Sequence, residues 1–148
     1  MLRLALDTNV WLDWLVFEDP SAQPLAAAVK TGRAAIHIDP ACEAEFVRVL
    51  AYERGKRTLD AAAQAACHAH MCTIVHILDP SAAHPAMRLP DCRDPEDQKF
   101  LELARACGAD FLVSRDRALL ETGHRKGRPL PFAIVTPAAL ARRMQATA

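Results

Sequence analysis

The side chains best placed to do chemistry are carboxylates standing beside hydroxyl or amide groups. Asp7-Thr8-Asn9 follows the alternating run Leu2, Leu4, Leu6, so a short apolar strand ends in a carboxylate, a hydroxyl and an amide. Ser114-Arg115-Asp116 repeats this pattern after the apolar stretch 111–114. Asp94 and Asp97 flank the start of another helix, and Glu43 and Glu45 lie in a helix that follows a second strand. Each aspartate has a plain structural use as a helix cap. In an open α/β sheet, however, ligands gather outside the carboxyl ends of the strands, which is where Asp7 and Asp116 would stand. Asp97 lies one turn before Leu101 and two before Ala104, so it faces the core. Acids packed together repel and raise one another's pKa, and such a set is stable only with cations or shared protons. Oxygen-only ligands select hard ions such as Mg²⁺ or Mn²⁺, which bridge to phosphate oxygens. The expected chemistry is metal-assisted phosphodiester hydrolysis.

Those groups depend on the elements that carry them. After the first strand, VWLDWLVF predicts a helix ending near Asp19-Pro20, with Trp11 and Trp14 as packing residues rather than a platform for bases. Pro24 stands near the start of LAAAVKTG, an alanine-rich helix closed by Gly32, and residues 34–39 predict a second strand, giving βααβ. Asp39-Pro40 opens a helix that ACEAEFVRVLAYERG carries to about Gly55. Within it Glu43 shares a face with Phe46, Val47 and Leu50, whereas Glu45 lies nearer Cys42, Val49 and Tyr52. Periodicity favours Glu43 as the inward acid and leaves Glu45 open.

Residues from 58 to about 78 predict a longer helix, whose end at Ile74, Val75, Ile77 and Leu78 also suits a short strand. Its Cys67, His68, His70 and Cys72 are zinc-ligand types, but they spread around the helix instead of meeting at one point, which argues against zinc. DPSAAHPAMRLPDC is an extended connector. Asp94 takes the N-cap place, Pro95 N1 and Asp97 N3 of a helix through Cys107, which Gly108 ends. Residues 111–114 and 132–135 predict strands, GHRKGRPLP between them is a basic loop, and Pro137 starts a terminal helix. Strands alternating with helices imply an α/β chain: a three-layer α/β/α sandwich with a central parallel sheet, in a single domain over 1–148.

Composition narrows the function classes. With 148 residues and 51% hydrophobic content, one core can form without metal or disulfide staples. Eighteen basic and 18 acidic residues cancel, so no global basic field favours nucleic acid and any such contact must be local. Five cysteines, at 42, 67, 72, 92 and 107, have no framework spacing and suit reduced thiols in a cytosol. No apolar run approaches the roughly 20 residues of a membrane span, and no signal-peptide pattern precedes the first strand. A soluble cytoplasmic protein with no membrane partner is expected.

Four stretches, LDTNV, DPACEAEFVRVL, CRDPEDQKFLELARACGADFLVSRD and IVTPAAL, resemble the PIN-domain ribonucleases, many of which are toxins of bacterial toxin/antitoxin pairs. The third stretch is the specific one. The resemblance implies that Asp7, Glu45, Asp97 and Asp116 form a catalytic and metal-binding quartet, with Asp94 an additional acid. It prefers Glu45 over Glu43, because Glu45 precedes Phe46 in the place of the family's Glu-Leu pair. Thr8, Asn9 and Ser114 would hold the acids and water in place. Asp39 before Pro40 departs from the family's small hydroxyl residue, and Arg115 from a residue often small. The implied activity is a Mg²⁺- or Mn²⁺-dependent endoribonuclease releasing 5′-phosphates, with single-stranded or structured RNA as substrate and an antitoxin protein as partner. Arg93, Lys99, Arg115, Arg117, Arg125 and Lys126 could supply a local RNA-binding rim, and apolar faces around Trp11 and Trp14 would permit a homodimer. The alternative is a non-catalytic PIN-like module for RNA binding or protein interaction. A haloacid-dehalogenase-like phosphatase would need an acid where Asn9 stands, and a dinucleotide site would need a glycine-rich loop after the first strand.

Overall fold

Short apolar runs become the strands, and a polar capping residue stands where most of them stop. The computed structural model describes residues 1–79, 89–125 and 129–146. Strands β1 (Leu2–Leu6), β2 (Ala34–Ile38), β3 (Val75–Ile77), β4 (Phe111–Val113) and β5 (Ala133–Val135) form one parallel sheet in the order β3-β2-β1-β4-β5. Leu4, Ala5, Leu6, Ile36, Ile38, Leu112 and Val113 are all buried, as a parallel sheet covered on both faces demands. Seven α-helices lie among the described residues: α1 (Thr8–Leu15), α2 (Gln23–Lys30), α3 (Pro40–Leu50), α4 (Ala61–Ile74), α5 (Gln98–Ala106), α6 (Arg117–Gly123) and α7 (Pro137–Ala146). With them the sheet becomes the middle of a three-layer α/β/α sandwich; α3 contacts α1, α4 and α5, while α2 contacts α7. None of the described helices is long and apolar enough to cross a membrane.

The sheet topology creates the site. From β1 the chain moves outward through β2 to β3, then returns to the opposite side of β1 as β4. The order therefore reverses between β1 and β4, where open α/β sheets leave a crevice at their carboxyl edge. Leu6 is in register with Val113, and the Asp7 amide donates to the Val113 carbonyl at 3.1 Å. The first residues beyond the two strands thus stand side by side.

Several boundaries differ from the sequence expectation. Helix α3 stops at Leu50, because the Arg54 guanidinium folds back to donate to the carbonyls of Val49 (2.6 Å) and Tyr52 (3.2 Å). Its donors replace the helical N–H partners that the last turn lacks. The end of the fourth helix is a strand, β3, paired with β2 from Ile36↔Val75 to Ile38↔Ile77. Asp94 caps a 3₁₀ turn, Pro95–Asp97, and α5 begins only at Gln98. Gly108, at φ 65°, ends α5 in the left-handed region as expected. Of the proline-rich connector, residues 80–88 lie outside the described residues. Trp11 is 2% exposed and stacks on Trp14 at 5.4 Å, so Trp11 is core and supplies no open apolar face for a homodimer.

Candidate functional site

Asp7 begins as a helix cap. Its Oδ1 accepts from the Val10 amide at 2.9 Å, closing the first turn of α1, and its Oδ2 accepts from the Ser114 hydroxyl. Ser114 is fully buried and its oxygen also accepts from the Asp116 amide at 2.9 Å. One serine therefore ties the exit of β1 to the exit of β4. Asp116 in turn caps α6, accepting from the Leu119 amide at 3.1 Å. The capping role foreseen for these acids is real, yet it coexists with their convergence.

Asp97 enters from the 3₁₀ turn before α5, and a hydrogen bond joins its carboxyl to that of Asp116. Burial pushes the Asp97 pKa up to about 7, and the charges of Asp116, Asp94 and Asp7 add to the rise. Burial likewise raises Asp7 to about 6, against the pull of Ser114 and the Val10 amide. Two carboxyl groups that hold protons this far above their ordinary 3.8 mark a pocket of uncompensated negative charge.

Glu45 is the glutamate that reaches this pocket. Its Oε2 accepts from the Thr8 hydroxyl, and its Oε1 lies 2.7 Å from the Lys99 ammonium and 3.5 Å from Arg48. Glu43, the acid that periodicity favoured, points instead to α4, where His68 and Cys72 meet it. Two positions on a helix are about 200° apart, so one acid serves α4 and the other the cleft. A wheel drawn on α3 alone cannot show which neighbour covers which side.

Asp7, Thr8, Asn9, Glu45, Asp97 and Asp116 line one cleft of about 470 Å³. Asp94 does not line it; exposed, it accepts from the Glu96 amide at 3.0 Å and acts on Asp97 by charge. Among the described residues, the three potential metal ligands whose donor atoms all lie within 4.8 Å of one another are a different set, Glu43, His68 and Cys72. The cleft aspartates are neighbours through hydrogen bonds and charge, but their donor oxygens are spread more widely than that. Their oxygen-only donor set and raised pKa values nevertheless fit a hard divalent cation, which would replace the shared protons.

The basic residues expected at the rim are mostly engaged. Arg115 pairs with buried Asp13 at 2.6 Å, Arg93 with Glu121 at 2.9 Å, and Arg125 donates to the Asp91 carbonyl at 2.6 Å. Lys99 belongs to Glu45, Arg117 is exposed, and Lys126 lies outside the described residues. The cleft wall instead includes Arg48, Arg54, Glu96, Phe17 and Tyr52. Tyr52 is 50% exposed. No motif marked these residues; Arg48 lies in the last turn of α3, Tyr52 and Arg54 follow its end, Phe17 follows α1, and Glu96 lies in the 3₁₀ turn before α5.

A family model described as PIN domain matches residues 3–118, a span that includes every residue lining the cleft. The chain belongs to the PIN domain family. This PIN domain is similar in fold to VapBC2 from Rickettsia felis, solved bound to a DNA fragment from their promoter. The two share 13% identity at a TM-score of 0.58, over 91% of this chain and 98% of that one. It is also similar to PAE2754 from Pyrobaculum aerophilum, at 19% identity and a TM-score of 0.57, over 98% of this chain and 90% of that one. No curated protein sequence matches it.

Proposed function

We propose that this PIN domain is a divalent-metal-dependent endoribonuclease and the toxin of a toxin/antitoxin pair. The observation that carries the proposal is the meeting of Asp7, Asp97 and Asp116, from three separate elements, at the reversal of strand order, two of them with strongly raised pKa values. Family membership and the likeness to VapBC2 support the nuclease and toxin readings. Asp7, Asp97, Asp116 and Glu45 would hold Mg²⁺ or Mn²⁺, with Asp94 contributing charge from outside the cleft. A cation held there supplies positive charge to phosphate oxygens and makes water more acidic.

The chain's own residues do the positioning. Ser114 fixes the separation of the β1 and β4 exits, and Thr8 turns Glu45 toward the cleft. Lys99 pairs with Glu45 at 2.7 Å and holds it in place. Tyr52 and Arg48 at the mouth offer a ring face for a base and a charge for a phosphate. The substrate that suits them is single-stranded RNA, and the protein partner expected is a short antitoxin.

The test is cleavage of end-labelled single-stranded RNA by purified protein. Cutting that needs Mg²⁺ or Mn²⁺, stops in EDTA and is lost in Asp7→Asn, with 5′-phosphate products, is the expected result. Cutting by Asp7→Asn at the wild-type rate would overturn the metal-cleft assignment. One observation favours a second reading, a non-catalytic module: Glu45 is already satisfied by Thr8 and Lys99. RNA binding without any metal-dependent cleavage would select it.

A further inference from the structure

A second cluster of ligand-type side chains lies on the other side of α3. Glu43 of α3 meets His68 and Cys72 of α4, and the three donor atoms all lie within 4.8 Å of one another. His68 and Cys72 are separated by four positions, so they stand one turn apart on the same face of α4. Cys67 and His70, which made the sequence pattern look scattered, take no part: the Cys67 thiol donates to the Leu15 carbonyl, and His70 is exposed.

We propose that Glu43, His68 and Cys72 form a binding site for a borderline-soft divalent transition metal such as Zn²⁺, separate from the acidic cleft. Tetrahedral zinc with bonds of about 2.1 Å to nitrogen and oxygen and about 2.3 Å to sulfur places its N and O ligands about 3.4 Å apart and its S and O ligands about 3.6 Å apart. His68 Nε2 and Glu43 Oε2 are 3.3 Å apart, and Cys72 Sγ and Glu43 Oε2 are 3.7 Å apart. Both distances from Glu43 thus match edges of that tetrahedron, the His68 and Cys72 donors lie within 4.8 Å of each other, and the fourth corner is left to water. One imidazole, one carboxylate and one thiolate select zinc-like ions over Mg²⁺ or Mn²⁺. Among the described residues no lysine or arginine forms an ion pair with Glu43, so no protein cation competes for its charge.

Binding transfers the Cys72 thiol proton to solvent and links α3 to α4. The link matters because Met71 is the one buried residue of α4. A metal would therefore pin a helix that the core holds only lightly. The proposal does not depend on the nuclease reading.

Cobalt(II) titration of the reduced, metal-free protein tests it, because a thiolate-to-cobalt charge-transfer band cannot come from an all-oxygen cleft. One equivalent of Co²⁺ should give that band together with visible bands of tetrahedral intensity. Zn²⁺ should bleach both and raise the Tm. The band should vanish in Cys72→Ser, and His68→Ala should weaken cobalt affinity at least tenfold. Both Cys67→Ser and Asp7→Asn should retain it. Absence of a thiolate band in wild-type protein, or its survival in Cys72→Ser, overturns the site and leaves an ordinary hydrogen-bonded trio.

Discussion

Asp7 uses one oxygen to cap α1 and the other to accept from Ser114, and it does so almost completely out of contact with water. Its pKa rises from 3.8 to about 6. A carboxyl whose native pKa lies above its unfolded value binds more protons when folded. Stability therefore falls as pH climbs through that interval and stays low above it. Ionised Asp7 should cost the metal-free protein about 3 kcal/mol at pH 8, from the roughly 1.4 kcal/mol carried by each pKa unit. Asparagine is as good an N-cap as aspartate, and its uncharged amide can donate to the Ser114 oxygen. In EDTA at pH 8, urea unfolding should find Asp7→Asn more stable than wild type by about 1–3 kcal/mol. Below pH 4 the difference should close. A variant that loses RNA cleavage while gaining stability is what an active-site acid predicts; a destabilised variant at pH 8 would mean that Asp7 is chiefly structural.

Proton and metal compete for the same oxygens. Asp97, raised to about 7, and Asp7, raised to about 6, must be ionised to hold a cation. The Mg²⁺ or Mn²⁺ concentration giving half-maximal cleavage should rise as pH drops from about 8 toward 6. Ser114→Ala removes a hydrogen bond that lowers the Asp7 pKa, so it should move this dependence to higher pH. Cleavage measured across metal concentration at several pH values checks both. A half-maximal concentration that does not change between pH 6 and 8 would detach these acids from the metal.

At the scale of elements, α3 shows how a helix end places cleft residues. The Arg54 guanidinium accounts for the early stop at Leu50 and for the turn that brings Tyr52 to the cleft. Arg54→Ala should lower stability by about 1 kcal/mol, the worth of partly exposed hydrogen bonds, as read from the urea midpoint. The same helix marks the limit of what its sequence discloses. Asp7 and Asp116 were legible because an alternating apolar run stops at each, and the strand exits need only the parallel sheet to converge. Asp97 was legible from its one-turn spacing to Leu101. The choice between Glu43 and Glu45 was not, since it depends on which helices flank α3. Nor was the state of Arg115, whose partner Asp13 belongs to the distant α1. Local periodicity carries element type and facing direction; ion pairs between remote elements leave no periodic trace.

That remote pair also helps to hold the β4 exit against α1. Asp13 is buried while Arg115 is half exposed, so solvent screens part of their attraction. Arg115→Met should cost about 1–2 kcal/mol by leaving a buried carboxylate unpaired, and adding Asp13→Asn should recover most of it. A double-mutant cycle by urea unfolding reads the coupling. If Arg115 serves RNA instead, the single variant should leave stability unchanged and weaken RNA binding.

For the whole molecule, 18 basic and 18 acidic residues leave no net charge to draw a polyanion from a distance. Arg115, Arg93 and Lys99 are neutralised by acids of the same chain. Any RNA strand must then be held by a few contacts near the cleft, with the ring of Tyr52 and Arg48, whose exposed guanidinium has only a long 3.5 Å pairing with Glu45, the best placed. Each neutralised phosphate of a single strand contributes about 0.7 to the slope of log affinity against log salt. Two or three contacts predict a slope of about −2, shallow for a nuclease. Base stacking is largely insensitive to salt, so Tyr52→Ala should weaken binding about tenfold or more without altering that slope, from the roughly 1–3 kcal/mol of a stacked base. Binding of a labelled oligonucleotide to Asp7→Asn across a KCl series measures both quantities. A slope near −5 would require a basic surface that the described residues lack, and would assign RNA capture to a partner or to the basic residues outside them, such as Lys126.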